Sequence, residues 1–362
     1  HDNMQATVQF SGSRSKAFDI KCGVKQGCVM APTLFAIYFS ALLLRAFPEP
    51  SGVLLHTRSS GRLFNLARLR AKTKVTDLLV RELLYADDAG FLAHSETELQ
   101  TMCDSFASAC TEFGLRISLG KTEVMGQNTP SVPHITINGT TLKTVNRFTY
   151  LGSTVCDTNS LDTELDVRIG KASTTFGRLQ NRVWGNSNLY HSAKFEVYKA
   201  CVLSVLLYGS ESWTTHKKHE HRLNAFHFRC LRSILGLTWR DKVPNTEVLK
   251  ISKVWDMYTI LRARRLRWTG HVVRMNDDRL SKAILYGELK NAARPVGRPK
   301  LRYRDCIKRD LSSFGIDHIS WEAQAQNRPA WRAILSKGST KSTETYTTFC
   351  NRRRWSCQHH QK

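Results

Sequence analysis

The chain has 362 residues, and its 54 Lys+Arg against 30 Asp+Glu give a formal charge of +24. That balance favours a polyanionic partner, nucleic acid before a membrane surface, and the ordinary hydrophobic content argues against a disordered or collagen-like chain. No apolar run approaches the ~20 residues that span a bilayer, the start lacks a secretion signal, and the ten cysteines form no C-x-x-C pair, so an intracellular (nuclear or cytoplasmic) protein with reduced thiols is expected.

In chain order, residues 4–10 and 17–22 read as a β-pair across Ser11-Gly12-Ser13-Arg14, ending in a turn over Gly23 to Gly27. Pro32 then suits the first turn of a helix over Thr33 to Phe47, because its fixed φ fits and its missing N–H costs nothing there. That helix is apolar on most sides, which predicts burial. Residues 51–81 read as a basic insertion carrying Arg58, Arg62, Arg68, Arg70, Lys72 and Lys74, broken at Ser59-Ser60-Gly61.

The stretch Leu83-Leu84-Tyr85-Ala86-Asp87-Asp88-Ala89-Gly90-Phe91 sets two adjacent carboxylates inside an apolar run, predicting two short strands joined by a tight turn. Two readings fit. Asp is a common turn residue, so the pair can be a hairpin tip alone. Alternatively, two carboxylates held this close repel and lose hydration, and a divalent cation compensates both, giving an oxygen-rich Mg²⁺ site of the kind used in phosphoryl transfer.

Ser95-Glu96-Thr97-Glu98 has capping-box spacing, and Leu99, Met102, Phe106, Cys110 and Phe113 follow at helical intervals until Gly114. A strand over Leu115 to Leu119 precedes Lys121, and Asn138-Gly139 marks a hairpin. From 160 to 275 the pattern is helical. Arg168, Lys171, Arg178 and Arg182 alternate with Leu165, Ile169, Ala172 and Phe176, giving a helix with one basic face, and further helices follow around Tyr198 and Phe226. Arg262 to Arg309 holds fifteen Lys+Arg with Trp268, Tyr286 and Tyr303 interleaved, a mixture suited to phosphate neutralisation and base stacking. Arg264, Arg265, Arg267, Trp268, Arg298 and Lys300 are the candidate contacts, although Arg294 to Lys300 reads more readily as a stiff linker than as a segment lying in a nucleic-acid groove. Cys350, Cys357, His359 and His360 have poor spacing for zinc.

Taken together, Gly23-Val24-Lys25-Gln26-Gly27, the Tyr85-Ala86-Asp87-Asp88 stretch, Gly114-Leu115 through Lys121, and Phe148-Thr149-Tyr150-Leu151-Gly152-Ser153 resemble, in order and separation, successive palm motifs of a reverse transcriptase, most closely the type of non-LTR (LINE-like) retrotransposons. The resemblance implies an α+β fold: a partial polymerase palm, an antiparallel sheet packed on helices, followed by a helical thumb-like bundle and a basic C-terminal region. The expected limits are 1–155 for partial fingers and palm, 156–275 for the thumb-like domain, and 276–362 for a partly disordered basic linker and tail.

By the same resemblance, Asp87 and Asp88 hold Mg²⁺ of a two-metal site, with Lys121 as a third catalytic group beside the leaving pyrophosphate. Gln26, Gly27, Tyr85 and Ala86 line the nucleotide and template pocket, and Tyr150, Leu151 and Gly152 grip the primer end. The expected partners are an RNA template, a DNA primer and deoxynucleoside triphosphates. A further metal-binding aspartate should lie on a strand several tens of residues before Gly23, and Asp19 is too close to be it. The chain is therefore expected to be a fragment, inactive alone. The alternative is a non-enzymatic nucleic-acid-binding protein derived from such an element. An Asp-Asp phosphohydrolase would need a histidine cluster near the hairpin, where His94 stands alone in the sequence.

Overall fold

A computed structural model describes residues 4–20, 23, 27–129, 131–290, 297 and 300–359, with 352–359 described by backbone alone. The fold is α+β. Strands β1 (Met4–Ala6) and β4 (Phe18–Ile20) pair antiparallel, and β2 (Gln9–Phe10) pairs with β3 (Ser13–Arg14) inside them. Helix α1 (Ala31–Ala46) precedes β5 (Val53–Thr57), β6 (Thr76–Val80), β7 (Glu82–Tyr85) and β8 (Asp88–Phe91). Helix α2 (Glu96–Glu112) follows, then the short strands β9 (Glu123–Val124), β10 (Thr136–Ile137), β11 (Thr140–Thr141), β12 (Lys143–Thr144), β13 (Arg147–Tyr150) and β14 (Ser153–Cys156).

The remainder is mainly helical: α3 (Asp162–Arg178), α4 (His191–Val197), α5 (Ser204–Leu206), α6 (Lys217–Ile234), α7 (Asn245–Ser252), α8 (Met257–Val273) and α9 (Leu280–Tyr286). A short strand β15 (Glu288–Leu289) then precedes α10 (Tyr303–Phe314), α11 (Trp321–Gln326) and α12 (Arg328–His359). No helix among the described residues is long and apolar enough to cross a membrane.

The chain divides into two compact units, one of His1–Leu54, Leu79–Val124 and Ser131–Thr144, the other of Leu55–Leu78, Met125–Pro130 and Val145–Lys362. In the first, α1 and α2 pack through Phe39, Leu42, Leu43 and Ala46 against Met102, Phe106, Ala109 and Cys110. Ser95 caps α2 by accepting from the Glu98 amide at 3.1 Å. The Glu98 carboxylate in turn accepts from the amides of His94 (3.0 Å) and Gly52 (2.7 Å), tying the helix start to the chain before it and to the segment after α1. The other side of α2 covers a second small core through Cys103 and Ala107, which meet Val124, Ile135, Ile137 and Leu142.

Two expectations change in this unit. Helix α1 is not buried all round: Ile37 and Leu44 are 63% and 78% exposed, since its packing partner α2 covers one face. Residues 115–118 are not a strand; Leu115 and Ile117 pack on the α1–α2 core without a strand partner, and the chain turns over 119–121. The β9–β12 pair is parallel, an exception to the antiparallel pattern of the other registered pairs.

The second unit has two cores joined by α8. Leu261 enters the first, with Leu165 and Ala172 of α3 and Leu223 and Phe226 of α6; Leu266, Val272 and Val273 enter the second, with Ile307, Leu311, Trp321 and Trp331. Gly270 is required where α8 meets α12, because a Cβ there would sit 2.3 Å from the Trp331 Nε1. The 276–362 segment expected as linker and tail thus carries α10, α11 and most of a hydrophobic core. Its amphipathic pattern, with Cys306, Ile307, Leu311 and Phe314 buried on one face of α10, was masked by the high Lys+Arg content around it.

Candidate active site

The acidic hairpin forms as the alternation predicts. Tyr85 pairs with Asp88, Leu84 with Ala89, Leu83 with Gly90 and Glu82 with Phe91, leaving Ala86 and Asp87 as the two-residue turn. Cross-strand partners share a face, so Glu82, Leu84, Ala89 and Phe91 lie on one side and Leu83, Tyr85, Asp88 and Gly90 on the other. The first side is anchored: Phe91 meets the Phe106 ring at 4.8 Å and the Phe47 ring at 5.4 Å, both edge-on. Arg81 completes the anchor, with its guanidinium 4.4 Å from the Phe47 ring centroid and paired with Glu82 at 2.6 Å.

Asp87 and Asp88 are both exposed, and Tyr85 is 64% exposed. Ala86 holds φ +51°, a left-handed conformation that costs an L-residue about 1–2 kcal/mol. Adjacent carboxylates on an exposed tip are hard oxygen donors of the kind Mg²⁺ accepts, usually one or two carboxylates completed by water and substrate phosphates. Among the described residues, no group of three or more His, Cys, Asp or Glu gathers where it could hold a metal. The tip fits as a partial ligand set.

Lys121 lies in the same unit as the hairpin, exposed on the 119–121 turn, and its side chain makes no hydrogen bond or ion pair with Asp87 or Asp88 among the described residues. Gly27 has φ +83° with nothing within 4 Å of where its Cβ would be, so backbone conformation rather than crowding requires glycine there. Gln26 lies outside the described residues, as does Arg298.

Tyr150, Leu151 and Gly152 are brought together at the β13–β14 turn, where Leu151 and Gly152 have φ +47° and +80°. Sequence reasoning missed the residues that hold this turn. The Tyr208 hydroxyl donates to the Leu151 carbonyl at 3.0 Å, and the Arg168 guanidinium donates to the Gly152 carbonyl. Arg168 is itself buried and paired at 2.7 Å with buried Glu164, whose other oxygen accepts from the Thr154 amide at 2.7 Å. The Glu164/Arg168 spacing of four was a readable helix pair, although nothing in the sequence pointed it inward. Arg168 therefore does not belong to a solvated basic face.

The basic α8 residues separate by environment. Arg267 is exposed, while Arg264 is half-buried and 3.3 Å from Glu211. Arg265 requires correction as a nucleic-acid contact: it is 0% exposed and bound to the buried Asp310 carboxylate at 2.6 and 3.2 Å. A guanidinium already committed to a buried carboxylate has no free edge for phosphate. Trp268 packs partly buried on the second core. Lys300 is exposed and donates to the Thr158 carbonyl at 3.0 Å.

Residues 3–155, which contain both the acidic hairpin and the Leu151–Gly152 turn, match the reverse transcriptase (RNA-dependent DNA polymerase) family. This region is a reverse transcriptase domain. A transposon-derived protein of Caenorhabditis elegans is 27% identical over 72% of this chain and 96% of its own length. The RNA-directed DNA polymerases from mobile element jockey of Drosophila melanogaster and Drosophila funebris are each 24% identical over 69% of this chain, and this chain spans 26% of each. All three relatives carry names that tie them to transposons or mobile elements. The Caenorhabditis alignment, 271 residues long, outruns residues 3–155, so the likeness continues past the reverse transcriptase domain.

Proposed function

We propose that this chain supplies the Asp87–Asp88 half of a two-metal nucleotidyl-transfer centre that copies an RNA template from a DNA primer using deoxynucleoside triphosphates. The observation that carries this reading is the acidic tip: two exposed carboxylates on a turn whose other face is fixed by Phe91, Phe47 and Phe106. Bound Mg²⁺ would activate the primer 3′-hydroxyl and neutralise the triphosphate. Asp87 and Asp88 would hold the ions. Tyr85 and Ala86, together with Gln26 and Gly27, serve the nucleotide and template pocket. Lys121 offers a cation or a proton as negative charge grows on the pyrophosphate. The Tyr150–Gly152 turn, clamped by Arg168 and Tyr208, positions the primer end, and Arg264, Arg267, Trp268 and Lys300 hold the duplex backbone in a thumb-like helical region.

The hairpin's two carboxylates are fewer protein ligands than a two-metal centre uses, and no further His, Cys, Asp or Glu joins them in a metal-holding group among the described residues, so the proposal includes inactivity of the chain alone. Primer extension by the purified chain, run beside Asp87→Ala, tests both parts of the proposal. Negligible extension is expected. Mg²⁺-dependent extension lost in Asp87→Ala would overturn the inactivity and keep the site, whereas extension that survives Asp87→Ala would overturn the site. Titration of a recessed 3′ end against plain single strands at two salt concentrations separates this reading from a structure-blind binding protein, for which the two affinities would be equal.

A further inference from the structure

Residues 55–78 sit in the sequence between α1 and the acidic hairpin, yet they fold as part of the second unit. Strand β5 pairs with β15 through His56–Glu288 and Leu55–Leu289, and the Thr57 hydroxyl donates to the Ala283 carbonyl at 3.0 Å. Leu63 is fully buried in the second core, and Phe64 lies 6.2 Å from the Trp321 ring. Arg68 is buried and donates to the carbonyls of Arg58, Arg62 and Tyr286, tying the loop to itself and to α9. The segment is a braced arm.

The arm carries six Lys+Arg against one acidic residue, Asp77. Asp77 is occupied by His56 at 2.8 Å and Lys290 at 2.5 Å. Arg62, Arg70, Lys72 and Lys74 are exposed, and among the described residues their side chains make no ion pair or hydrogen bond. Elsewhere in the same unit some exposed cations have carboxylate partners, as Lys199 with Glu196 and Lys218 with Asp162. Water and salt screen the repulsion between exposed like charges, so such cations persist without a ligand and stay available to one. Burial lowers the pKa of Arg68, and the neighbouring charge of Arg304 lowers it further.

We infer that Arg62, Arg70, Lys72 and Lys74 form a second nucleic-acid surface, one that binds the phosphate backbone without reading sequence and works independently of the acidic hairpin. Bracing through Leu63, Phe64 and Arg68 holds the backbone of the loop, so part of the ordering that phosphate contacts require is already met. Sequence-independent neutralisation releases condensed counterions, and each contact contributes a slope near −0.9 in log K against log salt.

The test is binding of the full chain to blunt DNA and RNA duplexes across a salt series. Replacing all four residues with Gln should reduce the slope by about 3–4 on both duplexes. The control replaces Lys217, Lys242, Lys250 and Lys253, exposed residues of the same unit, with Gln and removes the same charge; its slope should change by less than about 1. Pairwise variants, Arg62→Gln with Arg70→Gln and Lys72→Gln with Lys74→Gln, should each give about half the effect, guarding against a folding artefact of the fourfold change. Equal slope losses in both fourfold sets, or no loss in the arm set, would overturn the inference. Asp87→Ala with Asp88→Ala should bind blunt duplex with the unmodified slope, so failure of the polymerase reading would leave this result standing.

Discussion

The guanidinium of Arg168 lies 4.6 Å from the ring centroid of Tyr208, and the two side chains donate to consecutive carbonyls of the Leu151–Gly152 turn. Both turn residues hold positive φ, which suits Gly152 and strains Leu151. The pair therefore fixes a turn that a free hairpin would hold weakly.

Arg168→Ala should destabilise the chain by about 3–5 kcal/mol, because it leaves buried Glu164 without its partner. Tyr208→Phe removes one hydrogen bond and keeps the ring under the guanidinium, so its cost should be about 0.5–1.5 kcal/mol. Chemical denaturation of the two variants checks the ranking. Equal effects would mean that the ion pair contributes no more than the hydroxyl.

Arg265 and Arg267 are two residues apart on α8, and opposite outcomes are expected. Arg265→Ala should lower the unfolding midpoint sharply by removing the hydrogen-bonded partner of buried Asp310, at about 3–5 kcal/mol, while Arg267→Ala should leave stability within about 0.5 kcal/mol. In nucleic-acid titrations at fixed temperature, Arg267→Ala should lower the salt slope by about 1. A slope change of that size in folded Arg265→Ala would contradict its burial.

That contrast shows which parts of the molecule were legible in the sequence. Local signals held: the Ser95 cap, Pro32 in the first turn of α1, the Asn138-Gly139 hairpin and the Tyr85–Asp88 hairpin all depend on residues a few positions apart. Burial of charge did not read out. Arg68, Arg168 and Arg265 each looked like solvated cations, yet Arg68 ends on the carbonyl of Tyr286, 218 residues away, and Arg265 on Asp310, 45 away. Periodicity can place a side chain on a face but cannot say which distant acceptor will cover it. The docking of 55–78 was illegible for the same reason, since its partners begin at Ala283. Among the candidate site residues, the acidic tip and the Leu151–Gly152 turn were each legible as segments, while the residues clamping the turn were not.

Acid sensitivity should trace in part to His227. Its ring is fully buried between the Tyr198 hydroxyl at 2.8 Å and the Trp255 carbonyl at 3.1 Å. A carbonyl only accepts, so Nε2 carries the proton and Nδ1 accepts from the tyrosine. Burial pushes the imidazole pKa down to about 4, below its ordinary 6.5. Between those values the unfolded chain binds a proton that the folded chain does not, so the stabilisation is complete above pH 6.5 and is lost as pH falls toward 4. The loss from this group should approach about 1.4 kcal/mol per pH unit inside that window. Denaturation midpoints at pH 7 and pH 5 should differ by more in the unmodified chain than in His227→Gln, which cannot titrate; the same pH dependence in both would remove His227 as the cause.

The last prediction concerns strain at the acidic tip. Ala86 occupies φ +51° on an exposed two-residue turn, where a Cβ meets its own backbone unfavourably and gains no covering contact in return. Glycine removes that penalty of about 1–2 kcal/mol but gives the unfolded chain more freedom, at about 0.5–1 kcal/mol. Ala86→Gly should therefore stabilise the fold slightly, by up to about 1 kcal/mol, and Ala86→Val should destabilise it, because a β-branched residue tolerates positive φ least. Both variants keep Asp87 and Asp88, so denaturant midpoints report the turn alone. If Ala86→Gly lowered the midpoint, the methyl group would have to contribute more than the strain it causes, and the tip would then be a packed element rather than an open one able to receive a metal and a nucleotide.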